Sequence, residues 1–316
     1  MRHHAPHDPD HSVRAAPAVG AAACGKGTIA AGGSMTATAP FFSIITATCN
    51  AAETLPILLA SLSEQHCRDF ELVVQDARSS DGTLALLERA SGIPAIELLS
   101  ERDSGIYDAW NRAVARARGQ WLLFLGSDDR LSDADVLGKT AEMLRQVAAG
   151  ICFAAGSVRM LDARGQCRLQ STPVLDGGPE RMRHIAPAAF PGLFIRKELA
   201  TANPFDTDLR ISADYDFLCR TWADEKAITL PYMVAVMLEG GISSRPENQF
   251  AAAWENARVA ARHFSGVWTP RRARMLCKAG LVSSAFRLLG PDRGATLLDT
   301  LRRWRGLPPC WKRDAS

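Results

Sequence analysis

The chain of 316 residues has eight cysteines, at positions 24, 49, 67, 152, 167, 219, 277 and 310, but no CxxC pair and no regular spacing among them. Neither a zinc pattern nor a small disulfide framework is written there, so free thiols in a reducing cytoplasm are the simplest account. No apolar run approaches the roughly 18 residues that a bilayer-crossing helix needs. The first 39 residues lack the basic start and Leu-rich centre of a secretory signal. No GxGxxG follows the first apolar run, no Walker-type GxxxxGK loop occurs anywhere, and no internal repeat is evident, so neither common phosphate-cradling loop is available. The formal net charge is only +3, and nucleic acid is not expected as a partner.

What is present suffices for a large core: 47% of the residues are hydrophobic and 22% charged. Residues 1–39 are rich in Ala, Gly, Pro and His, with His3, His4, His7 and His11 clustered, and are expected to be a disordered tail. Met35 stands just before the first strand. The basic character is local, because the segment from Val267 to Ser316 carries eleven Lys/Arg against three Asp. Such an end is either a solvated helical face or a surface for anionic lipid or an acidic partner.

From Pro40 the chain alternates short apolar runs with helical stretches. FFSIITAT (Phe41 to Thr48), FELVVQDA (Phe70 to Ala77), AIELLSE (Ala95 to Glu101) and WLLFLG (Trp121 to Gly126) read as strands. Helices are expected over Glu53 to Gln65, Leu84 to Ala90, the stretch around Ile106, Trp110 and Val114, and Asp133 to Val147. This pattern predicts an α/β fold with a doubly wound, mostly parallel sheet and a ligand crevice beyond the carboxyl ends of its strands. The turn DARG (Asp162 to Gly165) between ICFAAGSVRML and QCRLQST suggests a hairpin, and short strands are expected at Leu193 to Arg196 and Ile228 to Met237. Beyond Pro246 only helices are expected, giving a core domain over 40–246 and a basic helical extension over 247–316.

Polar groups end all four early strands: Asn50, Asp76, Glu101 to Asp103, and Asp128 with Asp129. Ser127 to Asp129 could simply cap a helix. Four strands delivering such groups to one edge instead describe a polar crevice, in which carboxylates hold phosphates only through a cation such as Mg²⁺ or Mn²⁺.

The segments TATCNAAETLPILLASLSEQHCRDFELVVQDARSSDGT, SERDSGIYDAWNRAVARARGQWLLFLGSDD, ISADYDFLCR and GGIS, in this order and spacing, resemble the family 2 glycosyltransferases of bacterial polysaccharide synthesis. The resemblance implies a GT-A fold, with a Rossmann-like nucleotide-sugar half over 40–130 and an acceptor half over 131–246. It further implies a nucleotide diphosphosugar donor, usually UDP-linked, a divalent cation, and inversion at the anomeric carbon. The acceptor would be a glycan or a lipid-linked hydroxyl, with the enzyme cytoplasmic or peripheral at the inner face of the membrane. By the same resemblance Thr46, Thr48, Asn50 and Glu53 face the nucleoside, Asp76 accepts from the base, and Asp103, Asp108 and Asn111 lie beside the donor sugar. Asp128 and Asp129 match the metal motif, Ser127 before them is placed with the nucleotide-sugar contacts, and Asp214 matches the general base.

Two positions depart from the family pattern. Gly126 takes the first acidic place of the metal motif, which throws the cation onto Asp128, and Ala213 replaces a common Glu before the base. Asp216 competes with Asp214 as base. His184 matches an acceptor-side segment, Tyr107 and Trp110 read as core or sugar platform, and Arg102 and Arg245 as phosphate contacts or solvated groups. Gly240 and Gly241 suggest a tight turn near the site. A nucleotidyltransferase and an inactive nucleotide-sugar-binding module on the same fold are the alternatives.

Overall fold

The computed structural model describes residues 39–304 apart from 163, 176–177, 223–225, 240 and 242–244, together with 306, 307 and 311. The His cluster, the expected N-terminal tail and the turn at Gly240 lie outside the described residues. In chain order the elements are β1 (Phe42–Thr48), α1 (Leu55–Ser63), β2 (Phe70–Asp76), α2 (Thr83–Arg89), β3 (Ile96–Ser100), α3 (Ile106–Arg116), β4 (Trp121–Phe124), β5 (Arg130–Leu131) and α4 (Val136–Arg145). They continue with β6 (Ile151–Leu161), β7 (Cys167–Ser171), α5 (Gly178–Met182), β8 (Leu193–Arg196), α6 (Lys197–Ala202), α7 (Ala213–Thr221), β9 (Lys226–Leu238), α8 (Gln249–His263) and α9 (Pro270–Trp304).

One sheet runs in the order β3-β2-β1-β4-β8-β6-β9-β5, with β7 beside β6. Its first four strands are parallel. β8 enters antiparallel to β4, and β6 and β9 then run parallel to one another. The expected hairpin is present as the antiparallel β6–β7 pair, and it extends the same sheet. Strands from both 40–130 and 131–246 thus share one continuous sheet.

Alternation along β1 and β4 sorts their side chains between two helical layers. Phe42, Ile44, Trp121 and Leu123 pack beneath Leu55, Leu58 and Leu62 of α1 and Val136, Leu137 and Leu144 of α4. Ile45, Leu122 and Phe124 face Trp110, Ala113 and Val114 of α3, with Phe217 of α7 and Val259 of α8 in the same cluster. The extension is helical as expected, although Gly290 (φ 77°) interrupts α9 and Pro291 starts its second half.

Candidate active site

The parallel register brings the ends of three strands side by side, with Thr48 opposite Asp76 and Asp76 opposite Ser100. Asp76 is completely buried. Its carboxylate accepts from Thr48 Oγ1 (2.8 Å), Ser79 N–H (2.9 Å), Ser79 Oγ and Ser100 Oγ (2.6 Å). Burial alone would raise this carboxyl, but the bonds from Ser100, Ser79 and Thr48 together outweigh it and hold the group below its ordinary value. Four donors use the whole lone-pair capacity of a carboxylate. Asp76 is thus a knot joining β1, β2 and β3.

Asn50 sits in the left-handed region (φ 49°) and exchanges bonds with the next loop, its N–H to Ser79 Oγ (2.8 Å) and its Oδ1 from Ser80 N–H (2.9 Å). Glu53 is exposed on the turn before α1. Thr46 lies on the same face of β1 as Thr48 but two residues deeper in the strand, where it is fully buried and its hydroxyl has no hydrogen-bond partner.

The opening of α3 carries two of the expected acids. Asp103 accepts from Gly105 N–H (3.1 Å), and its carboxyl is raised by burial, against that bond and with Asp108 adding repulsion. Asp108 accepts from Ser104 N–H (2.9 Å) and pairs with Arg112 (2.9 Å), so it closes the first helical turn. Asn111 is likewise spent on structure, since its amide donates to Phe205 O (2.9 Å) and accepts from Phe205 N–H (2.9 Å). That pairing holds the loop before α7 and engages one N–H and one oxygen lone pair of the Asn111 amide.

At the end of β4 no helix begins, so the capping alternative for Ser127 to Asp129 fails; the next helix starts at Val136. Instead the chain folds back on Gly126. Asp129, 3% exposed, accepts from Gly126 N–H at 2.7 Å, and Ser127 Oγ lies 3.3 Å from Thr54 Oγ1. A Cβ on Gly126 would stand 2.7 Å from Asp128 Oδ1 and 3.1 Å from Asp129 Oδ2. The missing first acid therefore has a structural reason, because the two carboxylates occupy the space a side chain there would fill. Burial, then the neighbouring Asp128 charge, pushes Asp129 up to about 7, and burial also raises Asp128. Among the described residues neither acid is ion-paired, and no three His, Cys, Asp or Glu side chains form a metal cluster. Two uncompensated hard-oxygen donors, one half-exposed and one behind it, fit a cation that takes its remaining ligands from substrate phosphates.

Asp214 opens α7 with its carboxylate half-buried. It accepts from Tyr107 Oη (3.3 Å) and Tyr215 N–H (2.8 Å), and burial pushes it up to about 6 against those bonds. Its rival Asp216 is 4% exposed and held by Arg220 (2.8 Å) and His263 (2.9 Å), which leaves it structural. Tyr107 and Trp110 belong to the core, with Trp110 stacked on Phe190 at 5.5 Å. His184 is exposed on the turn after α5, and Arg102 is exposed beside α3.

Sequence reasoning missed Glu255 of α8, whose carboxylate accepts from the N–H groups of Arg210, Ile211 (2.8 Å) and Ser212 (3.1 Å) and so fixes the loop entering α7. No local signal marks it, because its partners lie more than forty positions away. A cavity of about 260 Å³ lies between these elements, lined by Tyr107 and Asp108 of α3, Arg210, Glu255, Asn248 and Arg287 of α9.

Residues 43–186 match the model of "Glycosyl transferase family 2". A PGL/p-HBAD biosynthesis glycosyltransferase of Mycobacterium bovis is 35% identical over 217 residues, spanning 65% of this chain and 80% of that protein. The putative teichuronic acid biosynthesis glycosyltransferase TuaG of Bacillus subtilis is 31% identical over 130 residues, covering 40% of this chain and 51% of its own length. Among solved structures, the mannosyltransferase PcManGT of Pyrobaculum calidifontis, in complex with GDP-Man and Mn²⁺, superposes with TM-score 0.57 at 19% identity, over 86% of this chain and 82% of its own. S. aureus TarS 1-349, in complex with UDP-GlcNAc, gives 0.53 at 18% identity, over 83% and 80%. These two share the fold. The crevice of acids at the strand ends, the half-buried carboxyl of Asp214 and these likenesses lead to one assignment: the chain belongs to glycosyl transferase family 2 and is a glycosyltransferase.

Proposed function

We propose that the enzyme moves a sugar from a UDP-linked donor onto a hydroxyl of a glycan or lipid-linked acceptor, with inversion, in the building of a cell-surface polysaccharide or glycolipid. The observation that carries this reading is Asp214, a carboxyl lifted to about 6 and hydrogen-bonded by Tyr107, a residue that also lines the cavity between α3, α8 and α9. A base of that strength is ionised near neutral pH yet still takes a proton readily.

Asp214 accepts the acceptor hydroxyl's proton as its oxygen attacks the anomeric carbon; the bond from that carbon to the diphosphate breaks, and the nucleoside diphosphate departs. Attack opposite the leaving group inverts the centre, with no enzyme nucleophile. Asp128, backed by Asp129, would hold the divalent cation, which when bound supplies positive charge for the departing diphosphate. The base end of the donor is assigned to the Thr48, Asp76, Ser79 and Ser100 knot and to Asn50 beside it. The mycobacterial and Bacillus relatives, named for glycolipid and teichuronic acid synthesis, support the acceptor class, and the UDP-GlcNAc complex of TarS supports the donor class.

The test is Mn²⁺-dependent release of nucleoside diphosphate from a panel of UDP- and GDP-sugars, because background hydrolysis reveals the donor before the acceptor is known. One UDP-sugar should be hydrolysed by the wild type, and Asp214→Asn should bind UDP while hydrolysing that sugar about 10²–10⁴-fold more slowly. Release of pyrophosphate from UTP in place of sugar hydrolysis would sink the reading in favour of nucleotidyl transfer.

A further inference from the structure

Large apolar side chains usually leave the surface, yet the extension keeps a row of them in solvent. Leu281 is 71% exposed, Leu288 83%, Trp304 83% and Trp268 57%, and Phe250, Trp254, Leu297 and Leu301 are also exposed. They are ordered by helix geometry. Val282 and Phe286 of α9 pack inward with Ala295, whereas Leu281 and Leu288, seven residues apart, share the outer face with Arg274 and Lys278. After the break at Gly290, Leu297, Leu301 and Trp304 repeat the outward stripe at helical spacing. Phe250 and Trp254 of α8 stack at 6.3 Å, Trp254 meets Trp268 at 5.8 Å, and Phe250 lies against Gly280, which sets this aromatic row beside α9.

Charge indicates what covers the face. α9 carries eight Lys/Arg against two Asp, and one of those, Asp299, is buried. Two copies docked face to face about a two-fold axis would bring these like charges together. Leucine and tryptophan interleaved with arginine match instead the boundary between acyl chains and anionic headgroups, where tryptophan settles and basic stems reach outwards. No helix among the described residues is long and apolar enough to cross a membrane.

We propose that the outer face of α8 and α9 docks on an anionic lipid bilayer. The same helices supply Ala251, Glu255 and Arg287 to the cavity beside Asp214, so docking carries that cavity to the bilayer and makes its acceptor lipid-linked. The acceptor clause rests on the transfer reading above; the docking itself does not.

The test is flotation of the full chain with vesicles of phosphatidylcholine alone or mixed with phosphatidylglycerol, without donor. Binding to the mixed vesicles at least about tenfold above the neutral ones, weakened by salt, is expected. The double variant Leu281→Glu, Leu288→Glu should lose it, as should Arg274→Glu with Lys278→Glu, while donor hydrolysis in solution and the melting temperature stay at wild-type values. Equal binding to both vesicle types, no binding, or binding untouched by the variants overturns the proposal. So does a stable dimer that the leucine variant dissolves in a chain that ignores vesicles. Because hydrolysis is read without lipid and flotation without donor, failure of the transfer reading is distinguishable from failure of docking.

Discussion

Tyr107 Oη lies 3.3 Å from Asp214 Oδ1, and this bond joins the start of α3 to the start of α7 across a gap of 107 residues. Tyr107 is fixed from behind by the rings of Trp110 (5.4 Å) and Phe205 (5.9 Å). Its burial, with the Asp214 charge adding to it, drives the phenol far above its ordinary range, so Tyr107 stays protonated and acts only as a donor. Glu255 acts in the opposite sense: it holds the loop before α7, and its charge raises Asp214.

These opposed influences make a pH prediction with a sign. The general base must be ionised, so kcat/KM should rise with pH and level off above about 6. Tyr107→Phe removes a bond that favours the carboxylate and should move the rising limb to higher pH. Glu255→Gln removes a repelling charge and should move it lower. A pH profile for each variant checks this, and limbs displaced in the same direction would refute the arrangement.

Asp214 and Asp216, two residues apart, should separate cleanly under mutation. Asp214→Asn should cut turnover by about 10²–10⁴-fold without lowering the melting temperature. Asp216→Asn weakens the anchor of Arg220 and His263 in a nearly closed site and should cost up to about 3–5 kcal/mol of stability. Its folded fraction should still turn over. Turnover and thermal unfolding measured on both variants decide between the two acids.

The buried Asp76 knot should show in acid. A carboxyl held below its unfolded value stabilises the fold above that value and loses the contribution as pH falls through the folded one. Ser100→Ala should therefore lower stability near neutrality by about 1–3 kcal/mol, with the deficit shrinking as pH falls through the lowered folded-state value of Asp76. UDP-dependent stabilisation should survive, since removing this hydroxyl frees an Asp76 lone pair for the base. Its complete loss would instead make Ser100 itself the contact.

The strands and helices were legible because apolar periodicity is a local property: the strand runs ending at Asp76, at Arg196 and near Leu238 were readable to within a residue or two. The shared edge was legible as well, since parallel pairing places the carboxyl ends of β1 to β4 on one side of the sheet. What local pattern does not carry is a side chain's remaining hydrogen-bonding capacity. Asp108 and Asn111 fit a ligand-contact reading by position, yet Arg112 and the backbone of Phe205 had already engaged them. Glu255 shows the converse, a polar residue on an ordinary helical stretch that becomes decisive through backbone groups far away in sequence.

Gly126 offers the sharpest test of the metal site. A methyl group there must displace Asp128 Oδ1, which lies 2.7 Å from the Cβ position, whereas the Gly126 N–H bond to Asp129 is made by backbone and survives. Gly126→Ala should therefore weaken Mn²⁺-dependent UDP binding by about 10–100-fold while leaving metal-free UDP binding unchanged. Gly126→Asp writes the family's usual first acid back into the sequence, but it inserts a third carboxylate beside two whose pKa values are already raised. Like charges in one site resist ionisation, so this variant should bind Mn²⁺ more weakly than wild type, not more strongly. Calorimetric titration of Mn²⁺ in the presence of UDP checks both, and tighter binding by Gly126→Asp would show that the two acids rearrange freely and that the glycine is not what shapes their site.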